Sequence, residues 1–370
     1  MTAPTYQPSD KGFIMTIFHH RKLLLIVAVL CLAFSPNAQA QEPYRVGTTT
    51  ANFLEIGIGS AGNAMGEAYV SMANDLSSIY WNPAGLAFMK QNEAQFMYQP
   101  WLVDISSQFA GAGIVVPRVG TLAASVFYVN YGEMDVTTLE YQDGTGEVFT
   151  ATDFNVSLAY SRKLADWFAF GATGKFISSQ IWHMSASAVA MDLGVIVNTH
   201  FFSPTGERGK GMRIGMSISN YGTRMQYDGI DLITPIDILP DENGNYSDVP
   251  GQYRLQGWEL PLIFRLGVSH DLIHTSHNRL SIAVDALHPN NNSESVNIGG
   301  QYEITVPTAG KFYLRGGYKS LYMIDSNYGM TFGAGMQLNF LNNVGLKIDY
   351  AYKSMNLFNA PQSFTLGVVF

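Results

Sequence analysis

Three groups of residues have types and spacings that suggest chemistry. Gly57-x-Gly59-x-x-Gly62 has the glycine spacing of a dinucleotide-binding turn, with an apolar stretch before it and Asp75 further on as the acidic residue. His270, His274 and His277 are close enough in sequence to share a metal. A hydrolase would join a serine to such a histidine and an acid. Each reading lacks its supporting elements. No βαβ unit follows the glycines, no carboxylate or cysteine pattern completes the histidine set, and no serine lies in a recognisable nucleophile context. The sequence therefore predicts no enzyme, no cofactor and no metal. What the chain offers instead is found in its export signal and in the period of its apolar residues.

Arg21 and Lys22 precede an apolar run from Leu23 to Phe34, and Ala38-Gln39-Ala40 supplies a small-x-small cleavage site. Residues 1–40 thus read as an N-terminal extension and a secretory signal peptide cut before Gln41. Met15 opens a signal of ordinary length, so residues 1–14 read as an extension upstream of a start at Met15 instead of Met1. Cys31, the sole cysteine, lies in the apolar core of the signal, with Leu30 where a lipoprotein site needs a small residue. The mature chain then has no disulfide to order it. Lys11, Arg21, Lys22 and Asp10 leave with the signal, so 21 basic and 29 acidic residues become 18 and 28, a net charge of −10. That balance argues against a nucleic-acid partner.

No mature segment reaches the ~18 apolar residues of a spanning helix. From Lys90 onward the chain instead runs in segments of roughly ten residues with every second position apolar, as transmembrane β-strands do. Phe154, Val156, Leu158 and Tyr160 alternate with Asn155, Ser157 and Ala159, and Phe264, Leu266 and Val268 alternate with Arg265, Gly267 and Ser269. The second face is dominated by Gly, Ala, Ser and Asn, with sparse charges: Lys175, Asp192, Arg213, Arg265, Asp285, Arg315 and Asp349. A soluble sandwich would carry abundant Lys, Glu and Thr there. A barrel lumen filled by packing and ion pairs would carry what is seen, and in lipid only helices and closed barrels satisfy every backbone group.

The expected strands span 91–101, 107–116, 121–131, 150–162, 166–180, 185–200, 211–221, 259–271, 279–287, 293–304, 311–321, 328–340, 344–354 and 362–370. They predict an all-β membrane protein, an antiparallel transmembrane barrel of about 14 strands. With the first strand running outward, the long gaps at 132–149 and 222–258 fall outside. The tight turns Pro117–Gly120, Arg162–Ala165 and Leu341–Asn343 then fall on the periplasmic side. The last strand ends Phe364, Leu366, Val368, Phe370, a terminal aromatic that resembles the signal presented to the barrel assembly machinery. Trp101, Tyr128, Trp167, Trp182 and Trp258 suit aromatic girdles at the lipid interface.

Ahead of the strands, residues 41–90 hold the densest motif. Phe53-Leu54-Glu55-Ile56-Gly57, Gly62-Asn63-Ala64-Met65-Gly66-Glu67-Ala68-Tyr69-Val70, Asn74-Asp75 and Tyr80-Trp81-Asn82-Pro83-Ala84-Gly85-Leu86 resemble the N-terminal signature of the PorV/PorQ family, within the FadL-like barrels. The resemblance covers about 35 residues, and the strands match only in pattern. Glu67 stands where the family usually has Gly, and Asn74-Asp75 where it often has two acidic residues.

The resemblance implies a 14-stranded barrel with residues 41–90 as a luminal plug and 91–370 as the barrel. It also implies a role, either as a non-enzymatic type IX secretion component that binds substrate C-terminal domains or as a FadL-like transporter of hydrophobic compounds. The implied partners are outer-membrane lipid, the assembly machinery and secretion components, in the outer membrane of a Gram-negative cell. The residues themselves suggest that Gly57, Gly59, Gly62 and Gly66 permit close backbone approach. Asp75 or Ser77 would cap a helical turn, with Trp81 and Asn82 following it, and Pro83 with Gly85 would force a tight reversal into the first strand.

Overall fold

The computed structural model describes residues 45–242, 244, 248–307, 309–323, 326–340, 344–356 and 360–370. The expected signal peptide and the turn at 341–343 lie outside them. The alternating segments form β1 (Glu93–Pro100), β2 (Ser106–Val116), β3 (Gly120–Asp135), β4 (Val148–Ala165), β5 (Phe168–Ile181), β6 (Met184–Asn198) and β7 (Arg213–Gly222). They continue as β8 (Ile263–His274), β9 (Asn278–Pro289), β10 (Ser295–Val306), β11 (Gly310–Leu321), β12 (Tyr328–Asn339), β13 (Gly345–Met355) and β14 (Gln362–Val369). Each strand pairs antiparallel with its neighbour in the chain. β14 pairs with β1 from Glu93↔Val369 to Tyr98↔Phe364, so the 14-stranded sheet closes on itself. Closure leaves no strand edge unpaired, which a hydrocarbon environment demands.

The period-2 pattern separates the two faces. In β4, Asn155, Ser157, Ala159 and Ser161 are buried while Leu158 and Tyr160 are exposed, and in β14 Ser363 and Thr365 are buried while Phe364, Leu366 and Val368 are exposed. Polar residues point into the barrel and apolar ones out. In water such a belt would forfeit about 25 cal/mol per Å² of apolar surface, so lipid is the solvent that this surface fits. Among the described residues no helix is long and apolar enough to cross a membrane.

The inner face is not uniformly polar. Met97, Phe109, Phe127, Val129 and Ile177 point inward and pack with Phe53, Leu54, Ile58 and Ile79 of the N-terminal segment. The Phe53 and Phe127 rings stack 6.0 Å apart. This apolar sector departs from the expected Gly/Ala/Ser/Asn lumen, because the N-terminal segment needs an apolar surface to pack against. Trp101 also departs from the girdle expectation: it is half-buried against that core instead of facing lipid.

One end of the barrel carries the connections 117–119, 166–167, 199–212 and 275–277, and also Phe370. The opposite, loop end carries 136–147 and, between β7 and β8, a two-stranded ribbon, Ile233–Ile236 with Val249–Gln252. The turn expected at Arg162–Ala165 lies at 166–167, since β4 continues to Ala165 across a register shift. The turn end is not uniformly tight, because 199–212 is a longer connection with a 3-10 turn at Arg208–Lys210.

Candidate functional site

The segment preceding β1 runs through the barrel from the loop end to the turn end. Near the loop end, the Thr50 amide donates to Glu259 O at 3.0 Å; at the turn end, Asn92 exchanges backbone hydrogen bonds with Phe370. Between them lie a 3-10 turn (Asn52–Glu55), α1 (Ser60–Ala64), α2 (Ser78–Trp81) and a second 3-10 turn (Pro83–Phe88). The helices are too short to hold by themselves, so packing and side-chain bonds from the wall fix them.

The glycine spacing is explained by this crowding. A Cβ on Gly62 would lie 2.7 Å from the Trp81 indole, and one on Gly57 would collide with Asn63. The amides at the start of α1 are occupied by the barrel: Gly59 N donates to Met97 Sδ at 3.0 Å and Ser60 N to Thr365 Oγ1 at 2.9 Å. Gly66 N donates to Thr331 Oγ1 at 2.8 Å, and that hydroxyl donates to Ala64 O at 2.9 Å. These amides are spent on the wall and are not held open for a phosphate.

Trp81 and Asn82 are the hub of the segment. Trp81 is buried, its Nε1 donates to Ile58 O at 2.7 Å, and its ring meets Tyr80 edge-on at 4.8 Å. Asn82 Nδ2 donates to Val70 O at 3.0 Å and to Val195 O of β6 at 3.1 Å, while its Oδ1 caps Ala84 N at 3.1 Å. Pro83 therefore begins a capped 3-10 turn instead of the expected tight reversal, as suits a proline at a helix start. Gly85 allows a close pass under Ala73 O and Ser78. The capping expectation is not met: Ser77 is the N-cap residue of α2 but makes no side-chain cap bond, and Asp75 Oδ1 accepts instead from Ser77 N at 3.1 Å and from Ser77 Oγ at 2.6 Å.

The wall is shaped to receive this segment. Inward positions Gly171, Gly215, Gly299, Gly317 and Gly333, on five different strands, lie directly against backbone or Cβ atoms of Pro83, Val70, Met65, Gly66 and Ala64 respectively. A side chain at any of them would occupy space that the segment fills.

Of the charges expected in the lumen, Lys175, Asp192, Arg265, Asp285 and Arg315 are buried, and Arg213 and Asp349 are half-buried. Lys175 pairs with Asp192 at 2.6 Å, and Arg315 pairs with Asp349. Arg265 donates to Ser219 Oγ at 3.0 Å and lies over the Tyr80 ring, while Asp285 Oδ2 accepts from Val70 N at 2.9 Å. Arg213 stands over the Phe88 ring, 4.2 Å from its centroid.

The pattern reading passed over a second set of charges. Glu67 receives Lys319 Nζ at 2.9 Å and Lys353 Nζ at 2.7 Å, from β11 and β13. Glu93 pairs with Lys347 at 2.9 Å, and Asp153 accepts from Tyr131 and Ser179. Lys319 and Lys353 share strand parity with Arg315 and Asp349, a signal that would have placed them inside. The Glu67 carboxyl is buried, which alone would raise its pKa; the Lys319 and Lys353 ammoniums outweigh this and hold it at about 2.

At the turn end the lumen opens into a polar cavity of about 530 Å³, with Phe88, Met89, Lys90, Glu93, Arg213 and Asp271 in its lining. The histidines do not converge there. His274 Nδ1 is 3.0 Å from Asp271, His277 is bonded to Ser276, and the His270 ring meets Phe202 edge-on. Among the described residues no group of three metal-ligating side chains is assembled.

A closed 14-stranded barrel with an apolar outer belt and a polar lumen defines an integral outer-membrane β-barrel, and solved structures share its fold. The chain is similar to the CymD monoaromatic hydrocarbon channel at 9% identity, with TM-score 0.54, covering 85% of this chain and 97% of that one. It is also similar to the Pseudomonas putida toluene transporter TodX at 12% identity, with TM-score 0.52, covering 85% and 96%. No protein among the curated sequences matches it. The chain belongs to the PorV family: the model of the type IX secretion system protein PorV matches residues 38–237, more than half of its length.

Proposed function

We propose that this protein is a non-enzymatic outer-membrane component of type IX secretion that binds the C-terminal domains of secreted substrates. In this reading residues 41–90 act as a plug, and the loop end faces outward to meet surface partners. The cell is Gram-negative, and the chain is exported by a cleavable signal. Its outer belt contacts lipid, and Phe370 presents it to the barrel assembly machinery.

The observation that carries this reading is the content of the lumen. A conduit for aromatic hydrocarbons needs a continuous apolar path, whereas Lys175, Asp192, Arg265, Asp285, Glu67, Lys319 and Lys353 lie buried across this one. Moving an apolar solute past them would strip charged groups of their partners. The loop end supplies the complementary support: the loop 136–147 carries Glu140, Asp143 and Glu147, the adjoining end of β3 carries Glu133 and Asp135, and no basic residue lies among them, beside exposed Leu139 and Tyr141. An acidic surface with apolar knobs suits protein contact. Likeness to hydrocarbon channels supports the second reading, a transporter of hydrophobic small molecules, through fold alone.

A pull-down of the tagged protein from outer membranes tests the proposal. Recovery of a substrate C-terminal domain supports secretion; intact secretion with lost uptake of a hydrophobic compound on deletion would support the transporter.

A further inference from the structure

The cavity at the turn end has an imbalance among its cations. Arg279 pairs with Asp271 at 2.8 Å, Lys311 with Glu303 at 2.5 Å, Lys347 with Glu93 at 2.9 Å, and Arg315 with Asp349. Arg213 and Lys90 line the same cavity and have no carboxylate within salt-bridge distance among the described residues. The Arg213 Nε is buried without a hydrogen-bond partner, and the side chain's one hydrogen bond runs from a terminal nitrogen to Ala73 O at 3.4 Å. Asp75 also lines the cavity, but its side-chain bonds among the described residues are to the neutral Ser77 and it is within salt-bridge distance of neither cation, so two cations face one carboxylate.

Arg213 is also held in place. Its guanidinium lies on one ring, Phe88, that a second cation also approaches, with Lys163 Nζ 4.6 Å from the centroid. A planar fork of donors, fixed on an aromatic face and facing a cavity with no carboxylate paired to it, is suited to a planar anion. Met72 and Met89 in the lining supply apolar surface beside it.

We propose that Arg213, with Lys90 and the Phe88 ring, forms a recognition site for a carboxylate attached to an apolar group, entered from the turn end of the barrel. The cavity admits two sources of that chemistry, the C-terminus of a peptide or a small free carboxylate. The site goes beyond the secretion reading and does not depend on it.

The test uses the mature protein in detergent and a fluorescent tetrapeptide ending in leucine, prepared with a free carboxylate and as the C-terminal amide. The free acid is expected to bind and the amide to bind about tenfold more weakly, as loss of one charge-assisted pair implies. Arg213→Gln is expected to remove this difference. Its fold is checked by the electrophoretic shift of the unheated barrel, and Lys90→Gln, at an exposed position, provides a second variant expected to weaken the free acid alone. Displacement by acetate assigns the site to small carboxylates, and failure of acetate assigns it to peptide termini; both support a carboxylate site. Equal binding of acid and amide, absence of binding by either, or a folded Arg213→Gln protein that still discriminates would overturn the proposal.

Discussion

Glu67 and Lys353 meet at 2.7 Å deep in the barrel, the first from the luminal segment and the second from β13. Glu67 adopts a left-handed backbone, φ 65°, a conformation that favours Gly, so a turn position here also ties the segment to the wall. Lys319 completes a two-cation clasp on one carboxylate. Glu67→Gln leaves both ammoniums without their counter-charge and is expected to cost about 3 kcal/mol, the range for breaking a buried pair. Thermal unfolding of the detergent-solubilised barrel reads the loss, and planar-bilayer recordings are expected to show larger conductance as the segment loosens.

The same clasp sets a pH window. Because the Glu67 pKa is depressed from 4.5 to about 2, its stabilisation is fully present above pH 4.5 and is lost as pH falls from there towards 2. Glu55 shifts in the opposite sense, its pKa raised by burial, so the comparison must be with Glu67→Gln. The difference in melting temperature between wild type and Glu67→Gln is expected to be constant from pH 7 to 5 and to shrink below about pH 4. A difference that already shrinks between pH 7 and 6 would place the carboxyl elsewhere.

Trp81 anchors the segment through both its ring and its indole N–H. Trp81→Ala removes a fully buried ring and is expected to cost about 3–5 kcal/mol, while Trp81→Phe, which mainly loses the bond to Ile58 O, should cost about 1 kcal/mol. Denaturant unfolding of the two variants gives the ordering.

The wall glycines predict a different kind of failure. Gly317→Val would put a branched side chain where Met65 and Gly66 lie, leaving the outer belt untouched. The barrel is expected to assemble with its segment displaced, seen as new protease cleavage between residues 51 and 89. Protection equal to wild type would contradict this packing.

What the sequence made legible follows from periodicity. A period of two is read directly from residues such as Phe364, Leu366 and Val368, and a closed sheet in lipid permits few other arrangements, so strand number and facing could be derived. The signature revealed that Gly57 to Leu86 is crowded. It did not show which wall residues crowd it, because contacts such as Gly317 with Gly66 join positions far apart in the chain. Glu67 was visible as an acidic residue in a glycine-rich segment, but its meaning required Lys319 and Lys353, which only barrel closure brings to it. The 3-10 turn after Asn82 was misjudged for a similar reason: Pro83 and Gly85 fit a reversal equally well until the Asn82 cap is seen.

The central claim is a role in type IX secretion, and the most direct measurement is the location of secreted substrates in cells lacking this protein. Substrates that retain their C-terminal domains and accumulate in the periplasm, with secretion restored by the wild-type chain, are the predicted result. Normal appearance of those substrates outside the cell would contradict the account.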